Sequence, residues 1–440
     1  MDKTGVALTL TASKRIAVAA AALALAALGA LSAPAAHGAK KSKVRPVIFV
    51  GNNWEGTADV IKQRVKTIER PGKNKHRLIF RRVARLNIIP DIQQRMMEIL
   101  TNPVRLGYYL GIRQLVGEGN DQFVDDMYSS KDGRLLVVSR PSLADVVGIN
   151  IKTGEIVWRF VVDGQRSDHM GLSPDGRHVA VSASTGNVVH ILDTQTGKEV
   201  GRFESGDSPH ENSYSKDGKR IYHASIGLVY TPADQPQVDT SKGDRWFQIV
   251  DAHTFQILKR IDMGKKLDEA GYPNMSSAVR PMALSPDEKF VYLQVSFFHG
   301  FVEYNLEQDR VTRVAVLPNE VPDVPHEEYL LDSAHHGIAM NSKGNKLCVA
   351  GTMSDYAAIV SRRTFAYTLI HGGEKPYWST NSLNGRLCYV SWSGSDRISV
   401  ISYKKRKEIA RIPVGDHPQR VRVGNVRKSW LRSKLNARKH

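Results

Sequence analysis

The stretch Leu172-Ser173-Pro174-Asp175-Gly176, followed by His178-Val179-Ala180-Val181, decides the fold because versions of it recur along the chain. Related turns stand at residues 130–133, 215–218, 285–288, 341–344 and 382–385, about forty residues apart in the clearest copies. A run of β-branched or aromatic residues follows each turn. Such runs between turn signals predict strands.

Each block continues through a second turn, such as Leu192-Asp193-Thr194-Gln195-Thr196-Gly197, into a further strand. Four short antiparallel strands per block make one propeller blade. A single four-stranded sheet cannot bury both of its faces, whereas blades stacked around an axis can. Closing the ring also removes exposed edge strands. The sequence therefore predicts an all-β propeller over residues 46–424.

The two ends of the chain predict how the ring closes. Residues 46–52 have the pattern of a second strand without its first, and residues 417–423 have the pattern of a first strand after which the repeat stops. Pairing of these N-terminal and C-terminal strands supplies one shared blade. Six internal blades and the shared one give seven, and eight is the alternative.

These repeats resemble the YVTN-type, YncE-like seven-bladed β-propeller proteins, which are secreted bacterial proteins. The likeness rests on the Ser-Pro-Asp-Gly turn, the Asp-x-x-Thr-Gly turn and the block end Arg411-Ile412-Pro413-Val414-Gly415. It covers most of residues 46–424 and looks closest to a subgroup from exporting, high-GC Gram-positive bacteria. The resemblance implies a fold and not an activity, because propellers carry many unrelated functions.

One insertion departs from the repeat at residues 91–117. Apolar residues there recur every three or four positions, which predicts two short amphipathic helices separated at Pro103. The helices either pack over one end of the ring without chemical consequence or narrow the way into the central channel.

The N-terminus predicts export. Lys14 and Arg15 precede an apolar run of about sixteen residues, too short to span a bilayer, and small residues follow it. Residues 1–39 are therefore predicted to be a signal peptide and residues 40–45 a basic linker. The mature protein is expected to be secreted or associated with the cell wall.

Only two cysteines are present, Cys348 and Cys388, in equivalent strands of neighbouring blades. Packed sheets lie about 10 Å apart, and a disulfide requires Cα atoms within about 7 Å. A bond is possible only where the blades converge. Two buried free thiols are the prediction.

The net charge of +18 is unevenly distributed. Most of the excess lies in the linker, in a basic insert at residues 62–82 and in a basic C-terminal tail at residues 425–440, so the propeller itself is nearly neutral. This pattern argues against specific nucleic-acid binding and favours salt-sensitive contact with anionic surfaces. The insert replaces an expected turn, which predicts a disrupted first blade.

Chemistry is expected where the first strands of the blades converge, because equivalent positions of a closed repeat form a ring. Five of the fifteen histidines fall there. The candidate metal ligands are His169, His210, His335, His336 and His417. The candidate ligand-binding residues are Asp125, Asp126, Asp168, Glu211, Arg280, Tyr377 and Arg420. Imidazole and carboxylate groups from separate blades suit a divalent or transition metal ion. A small-molecule or glycan site and purely structural strand capping are the alternatives.

Two functions remain open. The first is an exported binding or scaffold propeller whose channel mouth and long loops, at residues 227–244 and 319–331, engage a small molecule, a cell-wall polymer or a protein. The second is a metal-dependent hydrolase or oxidoreductase, with Asp168 or Glu211 as base. A closed ring has no free edge strand, which predicts a monomer.

Overall fold

The computed structural model describes residues 43–68, 75–229 and 241–437. Within these ranges, 28 strands form seven antiparallel sheets of four strands each. This is the predicted seven-bladed propeller, and the eight-bladed alternative is excluded. The first strands of most neighbouring blades contact each other, which places them around the central axis.

Blade 1 joins the two ends of the chain. Its strands, from the axis outward, are β28 (Pro418–Arg427), β1 (Val44–Asn52), β2 (Thr57–Ile68) and β3 (Lys75–Asn87). Ile48 lies opposite Val423 in the ladder between β1 and β28. The predicted closure by N-terminal and C-terminal strands is therefore confirmed.

The other six blades follow the order of the chain. Blade 2 contains β4 (Met127–Ser129), β5 (Leu135–Arg140), β6 (Asp145–Asn150) and β7 (Ile156–Val161); blade 3 contains β8 (Ser167–Leu172), β9 (His178–Ala183), β10 (Val188–Asp193) and β11 (Glu199–Glu204). Blade 4 contains β12 (Pro209–Tyr214), β13 (Arg220–Ser225), β14 (Phe247–Asp251) and β15 (Ile257–Ile261); blade 5 contains β16 (Val279–Leu284), β17 (Phe290–Val295), β18 (Gly300–Asn305) and β19 (Arg310–Val316). Blade 6 contains β20 (Ile338–Met340), β21 (Lys346–Gly351), β22 (Tyr356–Ser361) and β23 (Tyr367–Ile370); blade 7 contains β24 (Pro376–Asn381), β25 (Leu387–Trp392), β26 (Arg397–Ser402) and β27 (Lys407–Pro413).

The recurring Ser-x-Asp-Gly turn links the first two strands of a blade. In blade 3, Ser173 Oγ donates to Asp175 Oδ1 at 2.6 Å and accepts from the backbone N–H of His178 at 3.0 Å. Gly176 has a φ of 70°, in the left-handed region where glycine carries no steric penalty. The side-chain hydrogen bonds and the glycine together explain why this sequence returns in blade after blade.

The basic insert does not disrupt blade 1, contrary to the prediction. Residues 62–68 and 75–81 continue the ladder between β2 and β3 beyond the last pairing of β2 with β1, at Ile61 opposite Ile48. The added residues hydrogen-bond to each other as a longer hairpin, so they lengthen the blade without displacing a strand. Residues 69–74 at its tip lie outside the described residues.

The helical insertion has the predicted form. Helix α1 (Ile92–Leu100) precedes α2 (Pro103–Gly111), which continues into a π-helical turn, Ile112–Val116. Helix α3 (Met263–Glu269) follows blade 4. Short 3-10 turns cover Pro141–Leu143, His326–Glu328, Leu330–Asp332 and Ser393–Ser395. Among the described residues, every helix is too short or too polar to cross a lipid bilayer.

The C-terminal segment is more ordered than a basic tail from residue 425 would be. Strand β28 runs on to Arg427, and helix α4 (Lys428–Asn436) follows it. Trp430 and Leu431 are buried in the core that blades 1 and 2 share. Their apolar side chains dock the helix although most of its residues are polar. The predicted signal peptide lies outside the described residues, and β1 begins within the predicted linker.

The prediction of free thiols is wrong. Cys348 in β21 and Cys388 in β25 form a disulfide that joins blades 6 and 7, with a Cα–Cα distance of 6.5 Å. The prediction assumed the spacing of parallel packed sheets. Second strands lie close to the axis, where neighbouring blades converge to well below 10 Å.

Candidate functional site

A β-bulge at the start of the first strand positions the candidate residues. The register shifts between Ser167 and Met170 in β8, and equivalent shifts occur in β12, β16, β24 and at the start of β28. Six of the twelve predicted residues fall within these shifts: Asp168, His169, His210, Arg280, Tyr377 and Arg420. A bulge leaves residues outside the ladder and turns their side chains in a new direction. Here that direction is the central channel.

Three histidines from three blades meet in the channel. Their rings belong to His169, His210 and His336, and one ring nitrogen from each lies within 4.8 Å of the others. The ring centroids of His169 and His210 are 3.8 Å apart, and His336 is 5.5 and 5.6 Å from them. We call this group the three-histidine cluster. Its members are at most 5 % exposed.

Hydrogen bonding in the three-histidine cluster is incomplete. His169 Nδ1 shares a hydrogen bond of 2.9 Å with Glu211 Oε2. This contact fixes the ring, and Nε2 is the nitrogen that remains for a ligand. Nδ1 of His210 and Nδ1 of His336 are buried and have no hydrogen-bond partner. Buried polar nitrogens without partners are rare in folded proteins and point to a missing ligand or water.

Two carboxylates adjoin the cluster. Oxygen atoms of Asp125 and Asp168 lie within 4.8 Å of each other and of a His169 nitrogen. Asp168 Oδ2 accepts a 2.6 Å hydrogen bond from Arg166. Asp125 Oδ2 has no hydrogen bond, although Arg420 Nη2 lies 3.6 Å away. The site can therefore offer both nitrogen and oxygen ligands.

Asp126 lies beside this group but serves the framework. Its carboxylate accepts from the backbone N–H of Met127 and of Met170, and it pairs with Arg422 through two hydrogen bonds of 2.9 and 2.6 Å. These contacts connect blades 1, 2 and 3. All of its acceptor capacity is used, so Asp126 is a structural residue and not a free ligand.

Aromatic rings and arginines form the wall of the site. Tyr377 stacks on His336 at a centroid distance of 4.1 Å. The guanidinium of Arg420 lies 4.0 Å from the ring centroid of Trp378, a cation–π contact. Arg280 donates to Ser296 Oγ at 2.9 Å and to the backbone carbonyl of Leu331. Arg280 thus anchors the loop at residues 319–331 over the channel.

Burial controls the protonation of these groups. It lowers the pKa of His169, His210 and His336 well below the usual range, and the charge of Arg420 adds to the effect at His169. The three imidazoles are therefore neutral at pH 7, which is the form that binds metals. Burial also raises the pKa of Asp125 to about 7 and of Glu211 to about 8.

The cavity that these side chains enclose is small. It leaves about 20 Å³ for the centre of a water-sized sphere, enough for one water molecule or one ion. Val116 from the helical insertion and Leu331 from the long loop contribute apolar lining. Val116, at the end of the insertion, therefore reaches the lining of the channel.

Two of the predicted metal ligands do not join the cluster. His335 is buried, but its Nε2 shares a 3.0 Å hydrogen bond with the hydroxyl of Tyr356, and its ring lies 5.5 Å from His299. His417 stacks on Trp54 with ring centroids 3.8 Å apart. His335 is adjacent to His336 in the sequence, so the two side chains leave the backbone in different directions.

The sequence reasoning missed Arg166 and Trp378. Arg166 holds Asp168, and Trp378 packs against the rings of His169 and His336 as well as Arg420. Trp378 directly follows Tyr377 in the chain, so the argument from equivalent positions of the closed repeat could have included it. Arg166 stands one residue before β8, and no sequence signal identifies it.

Comparison with known proteins adds no family. No protein-family model matches this chain, and no curated protein matches it. The resemblance to YVTN-type repeats therefore stays a prediction from the motifs, whereas the seven-bladed propeller is established by the structure.

Proposed function

We propose that this protein is a metal-binding propeller, with a transition-metal ion held in the central channel by His169, His210 and His336. The observation that supports this most strongly is the pair of unpartnered Nδ1 atoms of His210 and His336 in a buried, three-histidine cluster. Zinc and copper prefer such imidazole ligands. The nitrogens of a tetrahedral zinc site lie about 3.4 Å apart, so only a modest inward shift of the rings is required.

The surroundings support the same assignment. Glu211 hydrogen-bonds the far nitrogen of His169, the arrangement by which carboxylates commonly orient metal-binding histidines. Because burial raises the pKa of Glu211 to about 8, binding of a cation at pH 7 would release the proton that Glu211 and His169 share. Asp125 and Asp168 supply candidate oxygen ligands on the neighbouring side. The carboxylates of Asp125 and Asp126 lie 3.6 and 3.9 Å from the guanidinium of Arg420 and reduce the repulsion that this charge exerts on a cation at the cluster.

The size of the cavity favours binding of an ion over chemistry on a larger molecule. About 20 Å³ accommodates an ion or a water, and a sugar or peptide has no room beside them within the described residues. This argues for the binding or scaffold role over the metal-dependent enzyme that the sequence left open. Propeller architecture in general suits a binding or scaffold role.

We further propose that the protein acts outside the cytoplasm as a monomer, at the cell wall or in the medium. The disulfide between Cys348 and Cys388 supports this location, because disulfides persist in oxidising compartments. The pattern of residues 1–39 supports export independently. A partner at the channel mouth would contact the long loop at residues 319–331 that Arg280 anchors.

Metal analysis of the purified protein tests the metal site. The protein is loaded with Zn²⁺ or Co²⁺, desalted, and the bound metal is measured by mass spectrometry. We expect about one equivalent. The single variants His210→Gln and His336→Gln should each lose most of it, and Co²⁺ absorption in the visible region should report tetrahedral nitrogen ligands in the unmodified protein only.

Matched controls separate metal binding from folding. His335→Gln and His417→Gln remove buried histidines that lie outside the cluster, so both should retain full metal content. Circular dichroism checks that each variant is folded. No bound metal in the unmodified protein, or equal loss in all four variants, would overturn the proposed site.

A further inference from the structure

A basic groove lies at the rim of the ring opposite the three-histidine cluster. One wall is the part of the β2–β3 hairpin that extends beyond β1, with His76 and Arg77. The floor consists of the turns at residues 341–346, 384–387 and 402–405 in blades 6 and 7. These turns follow the ends of first or third strands, which lie at one rim of the ring. His336 precedes the first strand β20 and Tyr377 lies at the start of the first strand β24, which places both at the other rim. The groove and the metal site are therefore independent.

The hairpin is fixed in place against blade 7. The hydroxyl of Tyr389 donates to Gln63 Oε1 at 3.0 Å, and the ring of Phe80 packs edge-on against Tyr389. Leu78 and Phe80 pack on the apolar cluster between blades 1 and 7. Because these contacts hold the wall, the groove is a built feature of the fold.

Among the described residues, all the charged side chains that line the groove are basic. They are Arg77, Lys343, Lys346, Arg386, Lys404 and Lys405. None of the six forms an ion pair within the described residues. Other surface cations of the chain do have partners, such as Lys289 with Glu307 and Lys259 with Asp309. The groove thus concentrates positive charge that no acidic side chain in the described part of the chain balances.

The environment of Lys346 also indicates that positive charge is concentrated in the groove. Its ammonium donates to the backbone carbonyl of Tyr403 at 2.6 Å. Partial burial lowers its pKa, and the like charges of Arg406 and Lys343 lower it further. An anion in the groove would relieve this repulsion.

We propose that this groove binds a flexible polyanionic chain without nucleobases, of the polyphosphate or base-free phosphodiester type. The volume of about 1480 Å³ exceeds that of ordinary small-molecule pockets, about 300–1,000 Å³, so a single small anion would leave most of it empty. A flat membrane surface cannot follow a concave groove between a hairpin and two blades. Tyr403 is the one tyrosine, tryptophan or phenylalanine among the described lining residues and it is buried, so these residues offer no exposed stacking platform of the kind that binds single-stranded nucleic acid.

Titration with long-chain inorganic polyphosphate, followed by isothermal calorimetry at several salt concentrations, tests this proposal. The triple variant Arg386→Ala/Lys404→Ala/Lys405→Ala removes three exposed cations of the groove. We expect its affinity to fall about tenfold or more. The slope of log K against log salt should decrease by about 2, since each phosphate contact on a flexible chain contributes about 0.7.

The matched control is Lys131→Ala/Lys152→Ala/Lys198→Ala, which removes three exposed lysines from turns of blades 2 and 3. It should bind polyphosphate nearly as well as the unmodified protein. Equal weakening by both triple variants would show a nonspecific effect of net charge and overturn the proposal. Charge-conserving Lys404→Arg/Lys405→Arg should retain binding, and its loss would also count against the groove.

Two competing ligands are measured in the same assay. Single-stranded oligothymidine that binds as tightly as polyphosphate would assign the groove to nucleic acid and overturn the proposal. Binding of anionic phospholipid vesicles with the same dependence on Arg386, Lys404 and Lys405 would assign the groove to a membrane surface and would also overturn the proposal. Thermal unfolding of the groove variant should match that of the unmodified protein, because the three side chains are exposed and unpaired.

Discussion

The disulfide between blades 6 and 7 gives the prediction with the best-defined magnitude. Cys348 and Cys388 are fully buried and 40 residues apart in the sequence. Their bond joins second strands of adjacent blades, so it closes a loop that contains most of blade 6. Reduction of the bond is expected to destabilise the folded protein mainly because the unfolded chain regains the freedom of that loop.

The size of the effect follows from the length of the loop. A loop of about 40 residues corresponds to an entropy of about 13 cal/mol/K, or about 4 kcal/mol at 25 °C. A chain of about 400 folded residues unfolds with an entropy of roughly 0.8 kcal/mol/K. Dividing the two quantities predicts a decrease in Tm of about 5 °C.

Scanning calorimetry of oxidised protein and of protein refolded in reductant measures this difference. Thiol titration in denaturant should find no free thiol in the oxidised sample and two in the reduced one. The variant Cys348→Ala/Cys388→Ala serves as the control, because reductant should leave its Tm unchanged. Two free thiols in oxidised protein, or identical Tm values with and without reductant, would refute the reasoning.

Three further predictions concern stability. Asp126→Ala should lower the free energy of unfolding by about 3–5 kcal/mol, because it removes the fully buried carboxylate that pairs with the partly buried Arg422; urea denaturation measures the loss. Trp430→Ala should cost about 3 kcal/mol in the same assay, because its side chain anchors helix α4. The Ser173 hydrogen bond lowers the pKa of Asp175, so the stability that this turn contributes is present above about pH 4 and is lost as the pH falls further. Ser173→Ala should therefore lose less stability than the unmodified protein between pH 6 and pH 3.

Nearby exposed residues provide the controls. Glu155→Ala and Lys434→Ala should each change the free energy of unfolding by no more than about 0.5 kcal/mol, because both side chains are exposed. An Asp126→Ala variant as stable as Glu155→Ala would remove the proposed role of Asp126 in joining three blades. Identical acid sensitivity of Ser173→Ala and the unmodified protein would show that the turn carboxylates do not control stability at low pH.

The sequence was sufficient for the fold because each blade is specified locally. Turns such as Ser173 to Gly176 depend on hydrogen bonds between residues at most five apart, and counting the repeated local pattern favoured seven blades. The closure could also be predicted, because a strand missing at one end of the chain was present at the other. The basic insert was misjudged because a longer hairpin preserves the ladder that a lost turn motif seemed to break.

The candidate site was predicted in part. The position of each residue within its repeat correctly indicated that residues such as His169, His210 and His336 come from separate blades. The structure places these three together. The same positions of the repeat include His335 and His417, which the structure places elsewhere. The position in the repeat locates a residue along its strand but does not fix the direction of its side chain.

The sequence by itself determined the propeller architecture, the pairing of the chain ends and the zone in which polar residues gather, because these follow from repeated local patterns, and it favoured seven blades over eight. Only the tertiary structure decided which side chains share the cavity, which arginine balances each carboxylate and whether the two cysteines meet. The physical reason is that a bulge reorients side chains and that blades converge toward the axis. Both effects depend on packing between blades, which no single repeat encodes.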